Sequence, residues 1–216
     1  MPPDGNGPGV RAYNRFIDVL CVCTANVCRS PMLEVMLDAA LRARGVTAHV
    51  RSAGVWEDGH PASAHSVSEA AARGLALGSH RSQVLDPEVV GRADLIVALA
   101  RRHVRDVAGL VPGVFPRTFT LKELVREGTR VGPIRREESL PDWLAEVGRD
   151  RVAPTYLRPD PADDVADPVG GTRSQYARTA RELDLLASAL ADLLSPLASE
   201  PSPVGTDRSA PLPDRS

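Results

Sequence analysis

Beyond residue 28 the sequence contains no cysteine, and the three it has stand at positions 21, 23 and 28. An odd number crowded into one segment cannot build the spread cross-links that staple small secreted domains, so a reducing compartment, the cytoplasm, is the expected location. Also missing is any apolar run near the roughly 20 residues that span a bilayer. The opening MPPDGNGPGVRAYNRF has no basic stretch followed by an apolar segment, so neither a leader nor a membrane partner is expected. A formal charge of −2 removes any broad electrostatic reason to bind nucleic acid. No second ligand set with its own spacing accompanies the three cysteines, which leaves a zinc or iron–sulfur centre short of ligands; no metal or cofactor is expected.

What is present is ordinary for a globular protein: 216 residues, 43% hydrophobic and 25% charged. That length fits one domain with tails. Residues 1–14 and 196–216, rich in Gly and in Pro and Ser, bury too little apolar surface to offset their ordering entropy and read as disordered. The domain expected is 15–195. IDVLCV at 17–22 suits a strand buried on both faces, and Leu33, Met36, Leu37 and Leu41 follow helical spacing up to Gly45. Ser30 fits as N-cap of that helix and Pro31 as its first residue. Strands at 47–53, 94–99 and 114–119 alternate with helices at 62–73, 101–109 and 121–127. A last helix at 173–194 opens on a Thr172–Gln175 capping box. The alternation predicts an α/β fold: a single-domain parallel sheet of four strands with helices on both faces, a flavodoxin-like three-layer sandwich. Residues 128–162 break the pattern and read as an insertion running over the surface, with one short helix at Leu140 to Val147.

The cysteines lie in VLCVCTANVCRSP, where Cys23 precedes Arg29 by the spacing C-x5-R between a strand end and a helix start. Such a turn directs several backbone N–H groups and the positive helix end toward one point, a site for a tetrahedral oxyanion. The same field favours the thiolate of Cys23. Arg29 adds a planar fork of donors that grips two phosphate oxygens together and tightens as a phosphoryl group flattens in transfer. Asn26 is the loop residue best suited to a left-handed backbone.

This segment resembles the phosphate loop of the low-molecular-weight protein tyrosine phosphatases, V-C-x-G-N-x-C-R-S-P, departing from it at Ala25, where that family usually has Gly. RSAGVWEDGHPAS (51–63), LGSHRSQ (77–83), ADLIVALARRHVRDV (93–107) and ADPVGGTRSQY (166–176) match further family segments in order. The resemblance covers roughly 17–127 and 164–194. It implies Cys23 as nucleophile, Arg29 as phosphate ligand and Asp167, of the D-P pair before the last helix, as general acid and then base. Asp160, also followed by Pro, and Asp163 and Asp164 crowd the same stretch. Thr24, Ala25, Asn26, Val27 and Cys28 would wrap the phosphate. Ser52 and His80 would hold Asn26, and Ser30 would stabilise the Cys23 thiolate. Trp56 would wall the cleft, while Val169 stands where many members have Tyr. Cys28 would protect Cys23 by a reversible disulfide, and Cys21 is expected in the core. The remaining histidines, 49, 60, 65 and 103, are expected to be exposed or structural.

The activity so implied is hydrolysis of protein phosphotyrosine through a cysteinyl-phosphate, with no cofactor. Val27 points to phosphotyrosine because the arginine-phosphatase branch typically has Thr there; a protein arginine phosphatase is the alternative. Arsenate reductases share the loop. The thioredoxin-coupled kind needs cysteines this chain lacks, which leaves a reductase using a small thiol, and beyond the enzymes a phosphate-binding module without turnover.

Overall fold

The computed structural model describes residues 16–198. The tails expected at 1–14 and 196–216 lie outside these residues, apart from the short 3₁₀ turn Ser195–Leu197 and Ala198. Four strands, β1 (Ile17–Cys23), β2 (Ala48–Gly54), β3 (Leu95–Ala98) and β4 (Thr118–Thr120), form one parallel sheet in the order β2-β1-β3-β4. Seven α-helices accompany them among the described residues: α1 (Arg29–Ala43), α2 (Ala64–Ala71), α3 (Pro87–Arg92), α4 (Arg101–Leu110), α5 (Leu121–Val131), α6 (Leu140–Val147) and α7 (Arg173–Leu194).

Alternation along the strands sends side chains to two cores. Val19 and Cys21 of β1, Leu95 and Val97 of β3 and Phe119 of β4 pack with α1, α5 and α7 through Leu33, Leu37, Leu124, Leu183 and Leu190. Leu20, Val22 and Ile96 turn to the opposite face and meet Val90 of α3 and Val107 of α4. Both faces are covered, as the near-continuous apolar runs of β1 and β3 require. The chain leaves β1 for β2 on one side and returns to β3 on the other. The carboxyl ends of β1 and β3 therefore flank the point where the winding reverses, where open α/β sheets bind their ligands.

The differences from expectation have local causes. Helix α1 starts at Arg29 rather than Pro31, with Cys28 in the capping position and no side-chain cap, because the Ser30 hydroxyl is turned to another use described below. Helix α3 was not expected: it has six residues, with only Val90 buried, but Pro87 begins it and the Asp86 side chain accepts from Val89 N. Strand β4 is shorter than 114–119 because Phe115–Arg117 winds as a 3₁₀ turn. Helix α5 runs on to Val131, closed at its start by a Thr120–Glu123 capping box.

Residues 128–162 are more than a surface excursion, although most of them are exposed or half-buried. Helix α6 inserts Trp143, Leu144 and Val147 into the main core, and Trp143 lies against Gly128 and Leu193 with its Nε1 donating to Gly132 O at 3.0 Å. A Cβ at Gly128 would stand 2.8 Å from Leu193 Cδ1 and 3.2 Å from Trp143 Cζ2, so a larger residue there would make the Leu193 side chain shift. Behind it, Arg151 is buried over the Phe119 ring and donates to Glu123 Oε1 at 3.0 Å, while Tyr156 O–H donates to the same carboxylate. These residues carry the far edge of the sheet, at β4; truncating a buried Trp of this kind costs about 3–5 kcal/mol.

Candidate active site

The loop 24–28 leaves β1 at the winding reversal and curls back into α1. Its sharpest bend falls on Asn26, whose φ of 52° is the one positive value outside glycine among the described residues. Ala25 has no such backbone, so the Gly of the family pattern is not needed at this position for φ. The glycine on which the loop does depend is Gly54, at the end of β2. A Cβ there would lie 2.7 Å from Thr24 O and 2.8 Å from Asn26 N.

Asn26 is fully buried and its side chain ties three segments together. Nδ2 donates to Ser30 Oγ at 2.9 Å and to Ser52 Oγ at 2.8 Å, and Oδ1 accepts from Gln83 N at 2.9 Å. Its carbonyl meets His80 Nε2 at 2.8 Å. Ser52 in turn donates to Glu34 of α1, a partner that the sequence did not single out. Ser30 Oγ donates to Cys23 Sγ at 3.0 Å. A donor aimed at the sulfur stabilises negative charge on it. Cys28 Sγ lies 3.3 Å from Tyr176 Oη of α7, whose hydroxyl is pushed upward in pKa by burial and by the Cys28 sulfur. All three cysteines are free and buried, and Cys21 sits in the core.

Arg29 is 2% exposed. Nη1 donates to Val165 O at 3.1 Å and Nη2 to Asp167 Oδ2 at 2.5 Å, while Nε is buried without a hydrogen-bond partner among the described residues. A buried, permanently charged group with a donor to spare is suited to an anion.

Four aspartates crowd 160–167, and their partners separate them. Asp163 is clamped by Arg101 at 2.7 Å and Arg126 at 2.8 Å, Asp164 accepts from Arg101 N at the start of α4 at 2.7 Å, and Asp160 pairs with Arg101 at 3.0 Å. With Val165 N bonded to Leu99 O at 2.9 Å, these contacts fix the segment and carry Asp167 to the cleft. That cleft, about 250 Å³, is lined by Cys23 and the loop, with Arg29 and Asp167 beside them and Trp56, Arg102 and Val169 at its rim. Trp56 is 69% exposed and Val169 is exposed too.

Two further residues come from the start of α4. His103, expected to be exposed or structural, is fully buried with Nε2 3.0 Å from Thr24 Oγ1. Burial, then the charges of Arg29 and Arg102, lower its pKa to about 3, so the imidazole is neutral at any working pH. Arg102 donates from Nη2 to Thr24 Oγ1 at 2.6 Å and from Nε to His103 Nε2 at 3.2 Å, and Nη2 stands 3.5 Å from Asp167 Oδ2. Neither was legible as a site residue: the adjacent pair Arg102-His103 on a helix gives no local sign of contact with a loop some 80 residues earlier.

A cysteine and an arginine spaced C-x5-R on a strand-to-helix loop, at the winding reversal of a parallel sheet, with a carboxylate across the cleft, define a cysteine-dependent phosphatase. The family model "Low molecular weight phosphotyrosine protein phosphatase" matches residues 18–130, and the chain belongs to that family. It is 30% identical over 179 residues to a protein-arginine-phosphatase of Bacillus subtilis (82% of this chain, 97% of that protein). It is 33% identical over 128 residues to the low molecular weight protein-tyrosine-phosphatase Etp of Escherichia coli K12 (59% of this chain, 84% of that protein). The low molecular weight protein tyrosine phosphatase structure from T. tengcongensis superimposes with a TM-score of 0.63 at 30% identity, covering 82% of this chain and 99% of that one.

Proposed function

We propose that the protein hydrolyses phosphotyrosine on proteins, in the cytoplasm and without a cofactor, and that the domain at 15–195 suffices for it. The Cys23 thiolate attacks phosphorus in line, the P–O bond breaks with its electron pair on the tyrosine oxygen, and Asp167 gives that oxygen a proton. Water, deprotonated by Asp167, then attacks the cysteinyl-phosphate; the S–P bond breaks, inorganic phosphate leaves and the thiolate returns. Ser30, bonded to the sulfur at 3.0 Å, supports the thiolate as attacker and as leaving group. Arg29 and the loop amides of residues 24–28 hold the phosphoryl oxygens and stabilise them most as the group flattens.

The observation that carries this reading is the Arg29–Asp167 pair at the cleft holding Cys23. Arriving phosphate competes for the Arg29 donors. The carboxyl group so released from Arg29 is free to meet the leaving oxygen. Val27, apolar and branched, supports tyrosine as the leaving group, as does Trp56 at the rim of the cleft, while Val169 in place of a tyrosine gives the ring less to stack on.

One observation favours a second reading, phosphoarginine: the Bacillus subtilis arginine phosphatase matches over 97% of its length. Steady-state rates on phosphotyrosine, phosphoarginine and phosphoserine peptides, together with arsenate and a small thiol, decide among these. Greatest kcat/KM on phosphotyrosine is expected, and a preference for phosphoarginine or arsenate would displace the proposal.

A further inference from the structure

Arg102 takes no part in the chemistry just described, yet it occupies the ridge between two cavities. On one side is the cleft of Cys23; on the other a cavity of about 290 Å³ is lined by Arg29, Arg102, Arg105, Pro159, Asp164 and Asp167. Arg102 is 48% exposed in its side chain, and its Nη2 and Nε contacts to Thr24, His103 and Asp167 fix the guanidinium plane while using neither hydrogen of Nη1. Ordering an exposed arginine costs side-chain entropy, which these contacts offset. The anchoring requires a neutral imidazole next door, since Arg102 Nε donates to His103 Nε2 and a protonated ring would both lose the acceptor and repel the guanidinium. Burial keeps the ring neutral.

We infer that Arg102 is a specificity-determining residue that sorts substrates by charge around the phosphoryl group; this rests on the phosphatase reading and refines its substrate class. A fixed positive charge at the rim attracts a carboxylate carried beside the phosphorylated residue, and Nη1, which the contacts to Thr24, His103 and Asp167 leave unused, is the group that donates to it. It also opposes a cationic leaving group. When phosphotyrosine is cleaved, the P–O electron pair takes the Asp167 proton and a neutral phenol departs. When phosphoarginine is cleaved, the P–N bond breaks with its pair on nitrogen, that nitrogen takes the proton, and arginine departs as a guanidinium cation a few ångströms from Arg102. The preferred substrate is therefore phosphotyrosine with Asp or Glu next to it.

The test compares wild type, Arg102→Gln and Arg102→Lys on four substrates: phosphotyrosine peptides flanked by Glu or by Gln, a phosphoarginine peptide, and p-nitrophenyl phosphate to normalise any change at Thr24 or Asp167. Wild type should prefer the Glu-flanked over the Gln-flanked peptide by about threefold at low salt, a preference that fades as ionic strength rises. Arg102→Gln should abolish that preference and raise the phosphoarginine to phosphotyrosine ratio by about threefold or more, and Arg102→Lys should keep part of both. Unchanged ratios in Arg102→Gln would overturn the role of Arg102. The wild-type ratio of phosphotyrosine to phosphoarginine turnover tests the proposed substrate separately, so either can fail without the other.

Discussion

Arg29 Nη2 and Asp167 Oδ2 stand 2.5 Å apart across the mouth of the cleft, 138 residues apart in sequence. The pair joins the group that would bind phosphate to the group that would protonate the departing oxygen, so binding and acid catalysis are linked by one contact.

The first consequence concerns leaving groups. Asp167→Asn should slow hydrolysis of phosphotyrosine by about 10²–10⁴-fold and of an aryl phosphate with a strongly acidic phenol far less, since a good leaving group needs no proton. A series of aryl phosphates graded in phenol acidity measures this as a steeper dependence on leaving group. Equal slowing across the series would remove Asp167 from the acid role.

Loop geometry gives two opposite expectations. Ala25→Gly should leave kcat/KM within about threefold, because Ala25 does not use a positive φ and Gly adds only unfolded-state entropy. Gly54→Ala should lower activity by about 10²-fold, because its Cβ must push Thr24 O and Asn26 N, both backbone atoms of the phosphate loop. Overpacking there should also cost about 1–3 kcal/mol in urea unfolding. Comparable rates for the two variants would contradict this account of the loop.

Stability should fall in mild acid through His103. Its folded pKa of about 3 lies below the unfolded value of 6.5, so the unfolded chain takes up a proton that the folded one refuses. The contribution is fully present above 6.5 and is lost as pH falls from 6.5 toward 3, at up to about 1.4 kcal/mol per pH unit. Urea midpoints between pH 7 and 5 should fall less steeply for His103→Gln than for wild type; parallel slopes would mean that another group carries the acid sensitivity.

The nucleophile's protection can be read from recovery. After hydrogen peroxide, wild type should regain activity with dithiothreitol, whereas Cys28→Ser should stay inactive once Cys23 passes to the sulfinic acid. Serine keeps a hydroxyl for Tyr176, which bonds Cys28 in the resting protein. Equal recovery would leave Cys28 as packing only.

These expectations also mark what the sequence made legible. Strands β1 and β3 are short apolar runs buried on both faces, and α1 and α7 carry long apolar stripes, so a parallel sheet covered by helices followed from local pattern. Strand β4 is blurred because Thr118 and Thr120 are polar yet fully buried, and α3 because six residues with one buried valine give no period. In the site, Cys23, Arg29, Asn26 and Ser30 belong to one contiguous loop. The contacts from Glu34, Arg102, His103 and Tyr176 are products of the tertiary fold: each is an ordinary helix residue until the winding brings it beside residues 23–30 or Ser52. The core contacts of 128–162 were illegible for a related reason: Trp143 gains its meaning from Gly128 and Leu193, far apart along the chain.

The central claim is covalent catalysis at Cys23, and the direct measurement is rapid acid quenching during turnover of a phosphotyrosine peptide, followed by mass spectrometry of the fragment carrying residues 19–29. The account predicts phosphate on Cys23 in wild type, a larger fraction of it in Asp167→Asn when the activated aryl phosphate replaces the peptide, and no turnover in Cys23→Ala. Full turnover by Cys23→Ala, or wild-type turnover with phosphate never found on Cys23, would contradict it.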